Sequence, residues 1–581
     1  MKAFPFRCLV FFFLSLSTLA AQSPRADALH KFFSQYFEEK LADDPEFATS
    51  IGRHDYDDRW TDWSKEGRER RRERMNARLK QLDQFPTTDL SEEDRLSVRL
   101  LHYELEQDLA AFDLENYLLR VNQVFGLHNR VYITVDRMMP PHTIRDYENI
   151  IARLNAVPAY VDQNISLMNE AIDRHLTQPT LIVDLVSKQI AAQIGQDQGK
   201  TPLLLAFHHL PSNIPAEEQA KLKADVTAAF EKQFLPAWHK LLDYIQGPYA
   251  RAARSGVGLS SLAGGRDAYA VLVRRYTTLQ TTPEEIHKIG EAEVQRIEAE
   301  MESVVRETGF TGTLQEFQQR LQTAPDQHFT SKDEMLIYCR NVAKIIEPEL
   351  PHEFKHIPLL LYGVRAIPED REAATPTHAQ APSPDGSTPG WFNLNTYQPE
   401  KQFKSDKQAL VLHEAVPGHI FQVSLARTLK DLPDFRRFYG NSAYLEGWAL
   451  YAESLGSNLG MYRDPYSHFG ELSSERFRAV RLVVDTGIHS QGWTRDQAVA
   501  YFRAHAPEES LAEVDRYIAW PGQALSYKMG QLKIRHLRTQ AEQRLGAKFD
   551  VRDFHDVVLR EGVLPLDLLQ QQAEQYINTA K

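Results

Sequence analysis

Two histidines six residues apart, with a glutamate beside the first, form the run His413-Glu414-Ala415-Val416-Pro417-Gly418-His419, and Ala443-Tyr444-Leu445-Glu446-Gly447-Trp448 follows about one helix later. Imidazole nitrogens joined by one carboxylate oxygen are the donors of a hydrolytic zinc site, in which three protein ligands leave a fourth position for water. His413, His419 and Glu446 are the expected ligands of one zinc ion per chain. Glu414 is the expected general base, taking a proton from a water whose pKa the metal has lowered to about 7.

The spacing needs a special backbone. The usual zinc-hydrolase helix carries His-Glu-x-x-His, with both histidines on one face. At 3.6 residues per turn, four residues bring a side chain to within about 40° of its start, whereas six leave it about 120° away. A regular helix would aim the two rings apart. Pro417 lacks an amide hydrogen and clashes with the carbonyl of His413, and Gly418 tolerates backbone angles closed to other residues. The helix is expected to break there, so that His419 swings back onto the face of His413. Glu446 and Glu453, seven residues apart, share nearly one helix face and compete as third ligand. Glu446 is preferred because Gly447 beside it leaves room for the metal helix. Glu453 then orients a ligand histidine, or is an ordinary paired helix glutamate.

The segments HEAVPGH, YLEGWALYAE, VVDTGIHSQGW and PGQALSYKMGQ together resemble the bacterial domain-of-unknown-function 885 family, over nearly the whole chain beyond its leader. That family in turn resembles helical gluzincin metallopeptidases, such as the thimet-oligopeptidase-like enzymes and carboxypeptidase Taq. Dipeptidyl peptidase III is similar in its lengthened His-Glu motif. The resemblance implies a mainly α, two-lobed fold with a deep cleft and a small β-sheet beside the metal-binding helix, and short peptides as substrates. It also implies that His489 and Tyr527 donate to the oxyanion formed when the scissile carbonyl is attacked. Asp485, one helical turn before His489, is placed to fix its tautomer. The rival reading of Tyr527 is a core aromatic with its hydroxyl satisfied.

Further substrate contacts follow from the same resemblance. Gluzincins pair the substrate backbone with an edge strand, and Trp391-Phe392-Asn393-Leu394-Asn395-Thr396 lies where that strand is expected, with Asn393 and Asn395 as its binding residues. An internal strand is the alternative. Apart from the resemblance, Lys528, Arg535 and Arg538 follow Tyr527 on one helix, and for removal of residues from a carboxyl terminus one of the three, Lys528 and Arg535 foremost, is a candidate partner for the substrate carboxylate, against the simpler reading of surface positions. Tyr444 and Trp448 flank Glu446, either lining a substrate pocket or packing the helix.

Composition sets bounds on the rest. A chain of 581 residues, 42% hydrophobic, has ample material for a large core, and its net charge of -12 has the wrong sign for a partner that is nucleic acid or an anionic membrane. Lys2 and Arg7, the apolar run Cys8 to Leu16 and the small residues near Ala20 form an expected cleavable signal, residues 1–20, that directs export to the periplasm or beyond without stable membrane insertion. Removal of that leader leaves Cys339 without a partner, so no internal disulfide holds the mature chain. Cys339 reads as a small buried hydrophobe.

Apolar residues recur at three- and four-residue intervals through most of the chain, the pattern of packed helices. Thr282-Pro283-Glu284-Glu285 is a helix start leading into Ile286, Ile289, Val294, Ile297 and Met301. The Gly- and Ser-rich stretch 255–265 divides an amino-terminal helical region, 21–255, from a catalytic region, 256–581, unless 21–581 is one continuous domain. Between Ile357 and Tyr397 prolines and β-branched or aromatic residues replace the helical pattern, so the small sheet is expected there, turning at Pro382-Ser383-Pro384-Asp385-Gly386. The reading is an exported zinc metallopeptidase. Its rivals are a zinc hydrolase of a non-peptide amide or ester, which would use the same metal chemistry, and a non-catalytic exported binding protein.

Overall fold

The computed structural model describes residues 24–580 apart from 86, 87, 89, 119, 370, 371, 373, 374, 384, 385 and 387. The expected leader and the Pro384-Asp385 centre of the expected turn lie outside the described residues. The helices that build the site are α1 (Pro283–Glu307), α2 (Lys407–Glu414), α3 (His419–Thr428), α4 (Ser442–Ser454), α5 (Pro465–His489), α6 (Ala512–Ala519) and α7 (Ser526–Leu545).

Local sequence explains where these helices begin. Thr282 Oγ1 accepts the amide hydrogen of Glu285 at 3.2 Å, and Glu285 Oε2 accepts that of Thr282 at 2.9 Å, a reciprocal cap that starts α1. Ile286, Val294, Ile297 and Met301 then fall on its buried face. α1 lies against α5 at Gly290, where a Cβ would sit 2.8 Å from the Cβ of Leu482, so only glycine allows the two helices this approach.

Two large apolar cores hold the molecule together. One gathers Phe33 and Leu101 with Phe392, Val411, Trp448 and Leu569; the other gathers Val157 and Trp238 with Val294, Val480 and Phe502. Each draws on both sides of the stretch 255–265. α2 and α4 stand in the first core, while the middle of α5 stands in the second. Cys339 is fully buried, and burial pushes its thiol up to about 12, which keeps it a neutral packing group.

A sheet of three strands interrupts the helices: β1 (Tyr362–Ala366), β2 (His378–Gln380) and β3 (Gly390–Leu394). Its order is β1-β3-β2, with β1 parallel and β2 antiparallel to β3. The strand Trp391–Leu394 is therefore central rather than an edge. Phe392 pairs with Val364 on one side and Ala379 on the other, and it is fully buried with Leu394. The edges are β1 and the short, half-buried β2. Among the described residues, no helix is long and apolar enough to cross a membrane.

Candidate metal centre

The lengthened histidine motif is broken as its Pro-Gly pair requires. α2 stops at Glu414, Ala415 takes φ -102° and ψ -93°, and α3 begins at His419. The Val416–Pro417 peptide is cis. Gly418 lies so close to the end of α2 that a Cβ would sit 1.9 Å from the carbonyl oxygen of His413. Trp448 on α4 clamps the break, its indole N–H donating to the Pro417 carbonyl at 2.8 Å. The two rings meet at right angles, with centroids 4.8 Å apart.

Glu446 completes the group. Its Oε2 lies 3.3 Å from His419 Nε2 and 3.6 Å from His413 Nε2, and the donor atoms of all three residues fall within 4.8 Å of one another. Glu453 sits behind His413: its Oε1 is 2.7 Å from Nδ1, so Nδ1 donates and the Nε2 lone pair is left for a ligand. Burial drives the His413 pKa down, but hydrogen bonds to Glu446 and Glu453 and the charges of Glu453 and Glu414 outweigh it and bring the pKa up to about 9. Burial likewise raises that of Glu446, yet His419 and His413 hold it well below the usual carboxylate range. The cluster favours positive charge between its donors. His413, His419 and Glu446 thus form a group that fits a divalent ion in donor type, convergence and charge, and imidazole with carboxylate suits zinc.

The group lies on the wall of a cavity of about 830 Å³, lined from both cores. Glu414 also lines it, half-buried, and among the described residues its carboxylate has no hydrogen bond or ion pair within the protein. Tyr527 faces the same space, its ring 6.4 Å from that of His413 and nearly parallel to it. Burial and the charge of Glu446 raise the Tyr527 pKa, which keeps the phenol a proton donor. Thr377, His378 and Ala379 bring the edge strand β2 to the cavity.

Other expected site residues are elsewhere. His489 is fully buried with both nitrogens occupied: Nδ1 accepts from the Leu259 amide at 3.1 Å and Nε2 donates to the Tyr517 carbonyl at 2.9 Å. It does not line the cavity. Asp485 turns away from it, accepting the Tyr269 hydroxyl at 2.5 Å and the Gly522 amide at 3.0 Å. Asn393 accepts from Arg365 at 2.7 Å, and Asn395 donates to the carbonyls of Glu372 and Thr375; both serve the sheet and its loop. Lys528 is wholly buried between Glu475 at 2.6 Å and Glu293 at 2.8 Å, and Arg535 reaches the same Glu475 at 3.1 Å, so both cations neutralise an internal carboxylate. Tyr444 donates to the Val558 carbonyl and packs with Trp448 in the core. Gly447 serves a different approach from the one expected, because a Cβ there would lie 2.4 Å from Gly530 Cα on α7. The cavity residues that sequence reading passed over are Arg478, Arg481 and Arg516. For the first two the signal was present in Arg476-Phe477-Arg478-Ala479-Val480-Arg481, three cations within two turns of α5 alternating with apolar residues.

A family model described as a bacterial protein of unknown function, DUF885, matches residues 45–573. No protein of curated description matches the sequence. A candidate lipoprotein from Colwellia psychrerythraea is 26% identical, with 96% of this chain and 99% of that one covered at a TM-score of 0.91. A candidate lipoprotein of unknown function from Shewanella oneidensis is 19% identical over 94% of this chain and 99% of its own, at 0.72, and shares the fold.

Proposed function

The chain belongs to the DUF885 family of bacterial proteins, and from that premise we propose that it is an exported, metal-dependent hydrolase of short peptides, with zinc held by His413, His419 and Glu446. The observation that carries this reading is the convergence of two Nε2 atoms and one carboxylate oxygen beside an unpaired glutamate in one cavity. A divalent ion bound there supplies Lewis-acid polarisation of the scissile carbonyl and of the attacking water.

The chain's own groups do the rest. Glu414 takes the proton from water and passes it to the leaving amine; its lack of an internal partner suits that role. Tyr527 donates a hydrogen bond to the carbonyl oxygen as negative charge develops there. Glu453 holds His413 in the tautomer that ligates. The unpaired edge of β2 offers backbone groups at peptide spacing along the cavity, which favours a peptide over an isolated amide or ester. Export rests on the leader at residues 1–20.

The test is digestion of a mixed library of short peptides by metal-loaded protein, read by mass spectrometry. Cleavage that disappears on chelation, returns with zinc, and is abolished in Glu414→Gln with metal content unchanged is the expected outcome. Metal-loaded protein that cuts no peptide would overturn the reading.

A further inference from the structure

We infer that the end of the cavity built on Arg481 receives the free α-carboxylate of a peptide, so that the protein removes one to three residues from a carboxyl terminus. The inference rests on the peptide-hydrolase reading and adds the substrate class and the end that is cut.

Arg481 lines the cavity, yet its side chain is only 7% exposed. Its guanidinium lies 4.2 Å from the centroid of the Phe477 ring and 4.4 Å from that of Tyr527. Nε donates to the Tyr517 hydroxyl and Nη2 to Glu513, each at 3.1 Å. Among the described residues, Nη1 is buried and has no acceptor. A guanidinium N–H left without a partner in a nearly dry wall costs more than an ordinary missing hydrogen bond, and a carboxylate is the acceptor whose geometry and charge suit it. Nε of Arg478, on the same wall, is likewise buried without an acceptor.

The charge count at this end points the same way. Arg481 and Arg516 share a single carboxylate, Glu513, which Arg516 meets at 3.0 Å, so the three groups carry one net positive charge. Glu508 is held by Arg476 at 2.7 Å. Glu509, beside Glu508 on the wall, is pushed up to about 7 by burial and the charge of Glu508, so it gives up charge readily and offers only partial compensation. The cations expected from sequence to meet a substrate carboxylate, Lys528 and Arg535, are committed to Glu475.

Distance sets the product length. The Tyr527 ring is 4.4 Å from the Arg481 guanidinium and 6.4 Å from the His413 ring, so the guanidinium lies within about 11 Å of the first ligand. That is the span of about three extended residues at ~3.5 Å each. A chain anchored by its terminal carboxylate would therefore present one of its last few peptide bonds to Glu414.

The experiment uses the full-length Glu414→Gln protein loaded with zinc, and calorimetric titration with acetyl-tetraalanine as free acid and as amide. The acid is expected to bind at least tenfold more tightly than the amide, and Arg481→Met or Arg481→Lys to bring that ratio close to one. Equal binding of acid and amide to the protein with Arg481 intact overturns the inference while leaving the peptide reading standing, and it needs no second variant to fold. An acid preference that survives in the Arg481 variants also overturns it. With active protein and an acetylated decapeptide acid, carboxyl-terminal fragments of at most three residues are expected; internal cuts contradict the assignment. If neither peptide is bound or cut, both readings fall together.

Discussion

His413 and His489 occupy similar settings in sequence. Each lies in the last turn of a helix, each has a carboxylate within one turn, and each is almost wholly buried, at 4% and 0% exposure. Their chemistry is opposite. The nitrogens of His413 meet Glu453 and Glu446, and its pKa rises to about 9; those of His489 meet a backbone amide and a backbone carbonyl, and burial pushes its pKa down to about 3. Burial alone works against the charged form in both. What separates them is the partner at each nitrogen: two carboxylates make a place for a cation, whereas one amide hydrogen and one carbonyl hold a neutral ring with every valence used.

Substitution should divide the two sharply. His413→Gln is expected to abolish both metal binding and turnover, because among the described residues no other imidazole joins Glu446 and His419 in the group. His489→Gln should keep its metal and its turnover per folded molecule, and reveal itself only as a lower unfolding midpoint. Metal content measured beside activity for both variants checks this, and loss of activity in a folded, metal-replete His489 variant would break the comparison. Tyr527→Phe comes next, with kcat expected to fall about 10²- to 10³-fold and metal content unchanged, the usual effect of losing one oxyanion donor. Glu453→Gln should weaken metal affinity about 10- to 100-fold, as read by competition with a chelator.

The smallest effect concerns acid. His489 takes a proton more easily in the unfolded chain, where its pKa is about 6.5, than in the fold, where it is about 3. Its contribution to stability is therefore complete above pH ~6.5 and is lost as pH falls toward 3, by up to ~1.4 kcal/mol per unit. His555, also held at about 3 by burial, adds a second share. Urea unfolding between pH 7 and pH 4 should show a shallower decline for His489→Gln than for the parent; equal slopes would mean that His489 is not held neutral.

Sequence carried the local features and missed those that depend on distant partners. The break at Pro417-Gly418 and the reciprocal cap at Thr282 follow from steric rules acting over a few residues, whereas Glu446 joins the two histidines as expected although the room beside Gly447 admits α7 instead of the metal helix. The place of Trp391–Leu394 in the sheet does not follow from such rules, because an alternating apolar strand reads alike at the centre and at the edge until its neighbours are known. Lys528 looked available because Glu475 and Glu293 arrive from α5 and α1. Asp485 and His489 share a helix turn, but Tyr269 and Gly522 draw the carboxylate away. Arg481 was hidden for a related reason: the arginine run on α5 is legible, but which of its members turns to the cavity depends on the elements packed around it.

One cation is expected between His413, His419 and Glu446. Elemental analysis of protein purified without added metal, then dialysed against zinc, tests it most directly when the parent is measured beside Glu446→Ala. One zinc ion per parent chain and none in the variant is the expected result. A parent that retains no stoichiometric metal, or a variant that binds as much as the parent, would contradict the account.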